Sequence, residues 1–444
     1  MEEELKKFSK SATAIFSVNY FIQGVSQSLF TTIVPIYIIV QLGALGPEDI
    51  GILGTIVLLP FAVKFLYGIL SDKYSFRNWG RRKPWIIGPL TIAGIIWIII
   101  PLIVNAVNVL ILFTIGGFVI YLGIAMADTA IDGLILDNCP KKQLGRVQGI
   151  CWGFRSVGII AGGPLLVLIF YFLFQLDIGW IFIGYGVIVI LSSLLVLLVE
   201  EIRVIENVRV KENLKIVFGK AKNWKVFAFA LFNAFVDGVI FLFISLYVLY
   251  LGGILEFGAE GFSTGVIEEA AGEPLLYGGN ALINLIIGIG VIVGALIGGY
   301  LADLKSRKLS VYSSLAITTI ALLLFLIPIP QYLSFILLIF AFIVGSTNGW
   351  RNSGFSAVIG QISTQYPEVD STYYATCNSF ANIGTVVGLV CTNIILSVLE
   401  GAEIVFIFAV IFLFLAITSN IGVIPFLVIP EEEYELPDKI GKLG

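Results

Sequence analysis

Histidine is absent from the 444 residues of this chain, and charged residues make up only 13% of it. The absence of histidine excludes histidine-based catalysis, histidine metal sites and pH sensing by an imidazole. The four cysteines have no Cys-x-x-Cys spacing, so the sequence predicts neither a zinc site nor a disulfide framework. No Gly-x-x-x-x-Gly-Lys-(Ser/Thr) loop and no nucleophile–base constellation occur. We therefore expect no enzyme, no cofactor and no ATP-driven pump.

What the chain does contain is long apolar runs. Hydrophobic residues make up 58% of it, and the mean hydropathy is +1.00. A bilayer core of about 30 Å needs roughly 20 helical residues to cross it. We predict an all-α integral membrane protein with twelve transmembrane helices, near residues 12–41, 50–71, 84–104, 108–136, 145–174, 178–199, 226–251, 276–302, 309–329, 332–360, 371–398 and 403–429.

Basic residues predict the orientation of these helices. Of the 26 Lys and Arg residues, all except Lys64, Arg155 and Arg351 lie in the tails or in loops that fall on one side. Loops on the other side, among them the acidic segment 252–275, contain acids but no Lys or Arg. The positive-inside rule therefore predicts a multi-pass protein of the cell membrane with both termini in the cytoplasm.

The sequence also repeats itself about half a chain later. Residues 19–25 (NYFIQGV) in the first helix match residues 233–239 (NAFVDGV) in the seventh. Such a repeat predicts two pseudo-symmetric six-helix halves. The predicted parts are an N-terminal half at residues 1–199, a cytoplasmic linker at 200–225 and a C-terminal half at 226–444.

A polar loop after the second helix carries the most specific pattern. Gly68 allows two helices to approach closely. Asp72 lies where its helix leaves the lipid, within reach of an arginine cluster or a helix N-terminus. Gly80 allows a turn, and the basic residues after it hold this end in the cytoplasm. A second copy after the eighth helix lacks the middle glycine. The predicted gating residues are Gly68, Asp72, Arg81, Arg82 and Asp303.

This loop resembles the Gly-x-x-x-Asp-(Arg/Lys)-x-Gly-(Arg/Lys)-(Arg/Lys) signature of the major facilitator superfamily, with a longer link between Asp72 and Gly80. The longer link, ending in Gly-Arg-Arg-Lys-Pro-Trp, is similar to the sucrose and glycoside–pentoside–hexuronide transporters. Lys64 and residues 128–132 (DTAID) are more similar to folate–biopterin transporters and muropeptide permeases. The resemblance covers essentially the whole chain. It implies the fold of that superfamily, with helices 1 and 7 lining a central cavity.

Charged residues inside the predicted helices mark either a pathway or an ion pair, because charge in a bilayer is costly. Asp128 and Asp132 are four residues apart and share one face of the fourth helix. One alternative is an ion pair with Lys64 that locks two helices together. The other is that one of these carboxylates binds a proton or another cation.

Three further charges lie near the predicted midplane. Arg155 and Arg351 are each roughly 15 Å from the cytoplasmic end of their helices at 1.5 Å per residue. Each guanidinium either pairs with Asp128 or Asp237, or binds a carboxylate or phosphate of a substrate. Asp237 has no Lys or Arg within its own helix, so it is the leading coupling candidate. The predicted coupling residues are Asp237, Asp128, Asp132 and Lys64.

Polar residues at a spacing of four suggest a hydrated interior, although hydrogen bonds between helices explain them equally well. Trp152, one turn before Arg155, has a ring on which a ring-shaped substrate could stack. The predicted substrate-binding residues are Arg155, Arg351, Asn19, Gln23, Asn233 and Trp152.

Together these patterns predict a monomeric secondary transporter that moves a small polar organic solute by alternating access. It would be a symporter coupled to a proton or sodium ion, embedded in the lipid bilayer and without a nucleic-acid partner. The buried cations favour an anionic or carboxylate-bearing solute, and a sugar or glycoside remains open. The alternative function is a transporter-like scaffold for membrane assembly or pigment delivery without transport activity.

Overall fold

The computed structural model describes residues 9–74, 80–139, 141–201, 210–258, 261–263, 269–366, 369–436 and 440. Contacts divide the chain into two compact units. The first comprises Met1–Leu42 and Ile56–Val210, and the second comprises Gly43–Thr55 and Lys211–Gly444. The boundaries predicted for the two halves, at residues 199 and 226, stay a prediction.

Helices α1 to α6 supply the first unit, although α2 begins in residues that belong with the second. α2 is interrupted at Val63, three residues after Pro60, which lacks a backbone N–H. The helices are α1 (Lys10–Ser28, a π-helical turn Leu29–Ile33, then Val34–Leu42), α2 (Pro47–Ala62 and Lys64–Lys73), α3 (Lys83–Ile103), α4 (Val109–Asn138), α5 (Lys141–Ile160, then π-helical turns Ala161–Leu165 and Val167–Leu173) and α6 (Ile178–Leu194, then a 3-10 turn Leu195–Leu198).

Helices α7 to α12 belong to the second unit. They are α7 (Ala221–Asn233, Asp237–Leu242 and Ile244–Leu251), α8 (Glu269–Leu304), α9 (Arg307–Leu324), α10 (Phe335–Ser363), α11 (Asp370–Val398) and α12 (Ile404–Ile421 and Val423–Leu427). Shorter helices are Val210–Phe218, in the predicted linker, and Glu431–Tyr434, after α12; a 3-10 turn Gln331–Leu333 precedes α10. Residues 202–209 of the predicted linker lie outside the described residues.

Eleven helices in the described part of the chain are long and apolar enough to cross a membrane. α10 is also long enough, at 29 residues, but Asn348, Arg351 and Asn352 lie near its middle. The prediction of an all-α membrane fold is therefore confirmed, and α10 carries two of the charged and polar groups described below.

Three short antiparallel strands in the second unit were not predicted. They are β1 (Ala44–Leu45), β2 (Glu256–Gly258) and β3 (Gly261–Ser263), in the order β1-β3-β2. Gly261 has φ +103°, and a Cβ there would collide with the backbone carbonyl oxygen of Leu45. A glycine is therefore needed where β3 lies against β1. Part of the acidic segment 252–275 is thus ordered by backbone pairing.

Each unit has its own aromatic core. In the first unit the fully buried Trp97 stacks on Phe182, with ring centroids 5.3 Å apart. In the second unit Phe227 stacks on Phe380 at 4.7 Å and lies against the buried Tyr373. Apolar lipid provides no hydrophobic driving force between helices, so membrane helices associate mainly through van der Waals packing and hydrogen bonds. Large buried rings supply much of that packing.

Candidate functional site

Four side chains from three helices meet in the first unit, and we call them the carboxylate cluster: Tyr20 of α1, Lys64 of α2, and Asp128 and Asp132 of α4. Lys64 forms an ion pair with Asp128. Its Nζ lies 3.4 Å from Oδ2 of Asp132. The Tyr20 hydroxyl donates a hydrogen bond to Oδ1 of Asp132. Both carboxylates predicted to share a face of the fourth helix therefore contact the same lysine.

The two carboxylates of this cluster differ in exposure. The side chain of Asp128 is 2% exposed, whereas that of Asp132 is 33% exposed. Lys64 is 11% exposed and supplies the single positive charge among the four. The cluster therefore carries one more acid than base, and the accessible acid is Asp132. The sequence left open whether these acids pair with Lys64 or bind a cation. Both are possible here, because Lys64 contacts two carboxylates and keeps one of them if the other binds a cation.

Local backbone features bring these side chains together. Lys64 is the first residue of the second segment of α2, directly after the interruption at Val63. Farther along this segment, a Cβ placed on Gly68 would lie 3.4 Å from the side chain of Thr129 on α4. A Cβ at that distance would make an ordinary van der Waals contact, so the predicted role of Gly68 stays a prediction.

Trp152 and Arg155 lie on α5 beside the carboxylate cluster. The guanidinium carbon of Arg155 is 4.9 Å from the ring centroid of Trp152. The ring of Trp152 is 6.1 Å from that of Tyr20, edge to face at 68°. Trp152 is 46% exposed, and Arg155 is part-exposed. No carboxylate in the described part of the chain lies within ion-pairing distance of Arg155.

Close backbone contact between α1 and α5 sets this geometry. A Cβ on Gly24 of α1 would collide with the carbonyl oxygen of Arg155, and one on Gly158 of α5 with that of Phe21. Reciprocal glycines allow two helix backbones to touch. They bring Tyr20, four residues before Gly24, and Trp152, six residues before Gly158, into ring contact.

The second unit contains a different ion pair. Asp237 begins the middle segment of α7, after the break that follows Asn233. Nη2 of Arg351 donates to Oδ1 of Asp237, and Nδ2 of Asn348 donates to the same oxygen at 2.8 Å. The side chain of Arg351 is fully buried. The expectation that Asp237 stands without a cationic partner is therefore wrong, because the partner comes from α10 and not from α7.

The predicted polar substrate ligands are deeply buried in the described structure. Nδ2 of Asn19 donates to the carbonyl oxygen of Ile15 at 3.0 Å and to that of Ser192 on α6 at 3.4 Å. The amide groups of Gln23, 3% exposed, have no hydrogen-bond partner within the described residues, nor has Nδ2 of Asn233. Asn19 thus links helices, while Gln23 and Asn233 keep unused hydrogen-bonding capacity.

The basic loop after α2 contacts two acids that were not predicted, Asp137 and Glu201. Arg81 reaches Oδ2 of Asp137 at 2.8 Å, and Nε of Arg82 reaches the same oxygen at 3.3 Å. Oε1 of Glu201 accepts hydrogen bonds from the backbone N–H groups of Arg81 and Arg82, both at 2.7 Å. The side chain of Asp72 lies outside what the structure describes, so its predicted gating contact stays a prediction.

The second copy of the loop, after α8, shows the same arrangement with another acid. Asp303 is exposed in the last turn of α8. Glu435, which follows α12 and is 1% exposed, accepts from the Ser306 hydroxyl at 2.6 Å and from the backbone N–H groups of Arg307 and Lys308 at 3.2 Å. Burial disfavours the charged form of Glu435, but these hydrogen bonds together hold the pKa of its carboxyl below the ordinary value.

Comparison with known proteins assigns the family. Residues 16–267 and 249–442 match the model of the Major Facilitator Superfamily. The chain belongs to the major facilitator superfamily. Its fold is that of solved members: it superposes on nucleoside transporter NupG with a TM-score of 0.67 at 13% identity, covering 94% of this chain and 99% of that one. A bacterial homolog to human lysosomal transporter Spinster, in an inward-facing and occupied conformation, gives 0.64 at 16%, covering 96% and 97%.

Two curated relatives match parts of the chain. "Putative transporter AmpG 1" of Rickettsia felis is 34% identical over 143 residues, which are 31% of this chain and 32% of that protein. "Probable folate-biopterin transporter 4" of Arabidopsis thaliana is 28% identical over 185 residues, 41% of this chain and 36% of that protein. The chain thus matches about a third of the length of these relatives. The family and fold are those of transporters of small solutes, and not of enzymes.

Three acids in these arrangements could have been identified from the sequence by their positions. Asp137 continues the row of α4 acids begun by Asp128 and Asp132 toward the basic loop. Glu201 is among the first polar residues after α6, as Glu435 is after α12. Tyr20 had no signal of its own, because its hydrogen bond depends on how α1 packs against α4.

Proposed function

We propose that this protein is a secondary active transporter that moves a small polar organic solute by alternating access, coupled to a proton or another cation. The observation that carries the proposal is the composition of the carboxylate cluster, with two acids and one lysine. Membership of a family of transporters supports the first part. The excess acid supports the second, because an uncompensated membrane carboxylate tends to bind a cation.

Asp132 is the proposed coupling residue. Lys64 contacts both carboxylates, so protonation of Asp132 leaves Lys64 paired with Asp128 and leaves no buried cation alone. Asp132 is also the more accessible of the two acids. Asp237 is less suited to carry a proton, because its protonation would leave the buried Arg351 without a counter-charge.

Trp152 and Arg155 are the proposed substrate contacts in the first unit. A guanidinium inside a membrane span requires an anion or water, and no described carboxylate reaches Arg155. Its position over an exposed indole favours a solute with an anionic group and a flat apolar face. The names of the relatives, a folate-biopterin and a nucleoside transporter, denote solutes with flat rings. A sugar remains a competing substrate class.

The test uses purified protein in proteoliposomes. Folate, biopterin, nucleosides, organic acids and sugars are first screened by thermal shift, and the best stabiliser is used for uptake. We expect Asp132→Asn to abolish uphill accumulation driven by a proton or sodium gradient, while substrate counterflow survives. The matched control is Asp177→Asn, an exposed acid at the N-terminus of α6. Uphill accumulation by Asp132→Asn at the control rate would contradict the coupling proposal.

The proposed orientation, with both termini in the cytoplasm of a cell, needs introduced cysteines. Cys139, in a loop on the predicted cytoplasmic side, is only 6% exposed and would react poorly with maleimide. In a variant without native cysteines, Lys215→Cys should react with an impermeant maleimide only after the membrane is opened. Tyr332→Cys, 81% exposed and on the predicted outer side, should react in intact cells. The reverse pattern would overturn the orientation.

A further inference from the structure

Tyr20 contacts both parts of the arrangement in the first unit. Its hydroxyl donates to Asp132, and its ring meets the exposed ring of Trp152 edge to face. Tyr20 itself is 1% exposed, so its position is fixed by packing. Tyr20 therefore contacts both the proposed coupling acid, Asp132, and Trp152, one of the two proposed substrate contacts.

Several groups face Asp132 from the helices around it. From α2 comes Lys64, which is shared with Asp128 of the same helix as Asp132. From α5 come the buried, neutral Cys151 thiol and the Arg155 guanidinium, whose positive charge acts on Lys64 at longer range. The phenol of Tyr20, from α1, is the neutral donor, and in the described part of the chain its hydrogen bond goes to Asp132 alone.

We propose that Tyr20 is a positioning residue that sets the proton affinity of Asp132 and links it to the face formed by Trp152 and Arg155. This inference rests on the proposed role of Asp132 as the proton carrier. A donor that binds a carboxylate favours its ionised form, so the phenol opposes protonation of Asp132. A change in the position of Trp152 moves the ring of Tyr20 and weakens that hydrogen bond, and Asp132 then takes up a proton more readily.

The experiment measures protonation of Asp132 directly and needs no substrate. The carbonyl stretch of protonated carboxyl groups is followed by infrared difference spectroscopy of the whole protein in liposomes as the pH is varied. The signal from Asp132 is the part that disappears in Asp132→Asn. In Tyr20→Phe we expect the midpoint of this signal to rise by about one pH unit, because a hydrogen bond to a charged group contributes roughly that much. In Trp152→Ala we expect a smaller rise in the same direction.

Two controls separate this effect from general loosening. Tyr185→Phe removes another buried phenol of the same unit, which bonds to Ser26 and to the carbonyl oxygen of Ile22. Trp180→Ala removes another exposed indole, 58% exposed on α6. Neither should move the midpoint.

The outcomes are distinct. An unchanged midpoint in Tyr20→Phe overturns the role of the hydroxyl, and one in Trp152→Ala overturns the link to the exposed face. Should Tyr20→Phe fold poorly, the double variant Tyr20→Phe/Asp132→Ala gives a second measurement, because alanine cannot accept the hydrogen bond of Tyr20. Its loss of thermal stability should be smaller than the sum of the two single losses, and additivity would contradict a direct bond. If the infrared result holds but Asp132→Asn still accumulates substrate, the coupling proposal fails and the Tyr20–Asp132 linkage stands.

Discussion

The two units each place a charged cluster at a helix interruption, but they balance charge differently. In the first unit Lys64 faces two acids, one of them a third exposed. In the second unit Asp237 faces one arginine, whose side chain is fully buried. Breaking a buried pair from one side leaves an uncompensated charge, at a cost of about 3 to 5 kcal/mol. The first cluster can therefore gain a proton at little cost, whereas the second is suited to holding α7 and α10 together.

The units agree in another respect. In each, an acid that follows the last helix binds the N-terminal backbone of the third helix, namely Glu201 at Arg82 and Glu435 at Arg307. A carboxylate is stabilised at a helix N-terminus by free N–H groups and the helix dipole. The repeat thus extends to the helix caps, while the membrane charges have diverged. We infer that the two units share the acid that caps their third helix, whereas the charged residues inside their membrane helices differ.

The largest expected effect is that of Asp237→Asn on stability. Arg351 cannot lose its proton and has no other described acid beside it, so the variant should be less stable by about 3 to 5 kcal/mol. The measurement is thermal unfolding of the purified protein, beside Asp132→Asn, which should stay close to wild type because Lys64 keeps Asp128.

Removing both charges of the second unit provides the control for that comparison. Asp237→Asn/Arg351→Gln should recover most of the lost stability, because no unpaired charge remains. Equal melting temperatures for Asp237→Asn and Asp132→Asn would show that the two clusters do not differ in the way proposed.

Lys64→Met should have the second-largest effect, about 2 kcal/mol at neutral pH. It leaves two carboxylates together without a cation. One of them can take up a proton and so remove the repulsion. Arg351, left alone in Asp237→Asn, cannot lose its charge in this way. The loss should therefore shrink as the pH is lowered. Melting temperatures across a pH series, with Arg155→Met as the control cation, test this. A loss that does not depend on pH would contradict the charge balance assigned to the first unit.

Glu435→Gln tests the shared helix caps and should cost about 1 to 2 kcal/mol at neutral pH. Because the folded-state pKa of Glu435 is lowered, its contribution to stability is fully present above the unfolded-state value of about 4.3 and is lost as the pH falls through the folded value. Wild type and variant should therefore converge in melting temperature at acid pH. Glu432→Gln, a neighbouring acid that is exposed, serves as the control.

Much of the fold could be predicted from the sequence, because membrane crossing requires long apolar helices whatever their packing. The break in α7 and the pairing of β1 with β3, where Gly261 lies against Leu45, could not. Both depend on contacts between distant segments, which composition does not record.

The site was predicted as a set of residues but not as a set of contacts. Charges in the membrane identified Asp237 and Arg351, and their pairing was one of two open alternatives, but the sequence could not decide between that pair and binding of a substrate. Tyr20 was missed because a tyrosine in an apolar helix is common, and only its neighbour Asp132 distinguishes it. Burial of a charge can be inferred from sequence, whereas its partner requires the packing.

The smallest expected effect on stability is that of Arg155→Lys, and it bears most directly on the substrate. Arg155 has no described carboxylate partner, so the exchange should change stability by less than about 0.5 kcal/mol. Lysine keeps the positive charge but loses the planar fork that can bind a carboxylate with two hydrogen bonds and lie flat on the indole of Trp152. If the solute is anionic, its affinity should fall about tenfold, a loss of about 1.4 kcal/mol.

The same exchange at Arg351, the buried arginine of the second unit, provides the control. Arg351→Lys should instead lower the melting temperature, since it disturbs the pair with Asp237. Normal affinity of Arg155→Lys for the solute found by the screen would assign Arg155 to a neutral substrate such as a sugar, and would reduce the difference between the units to their stability alone.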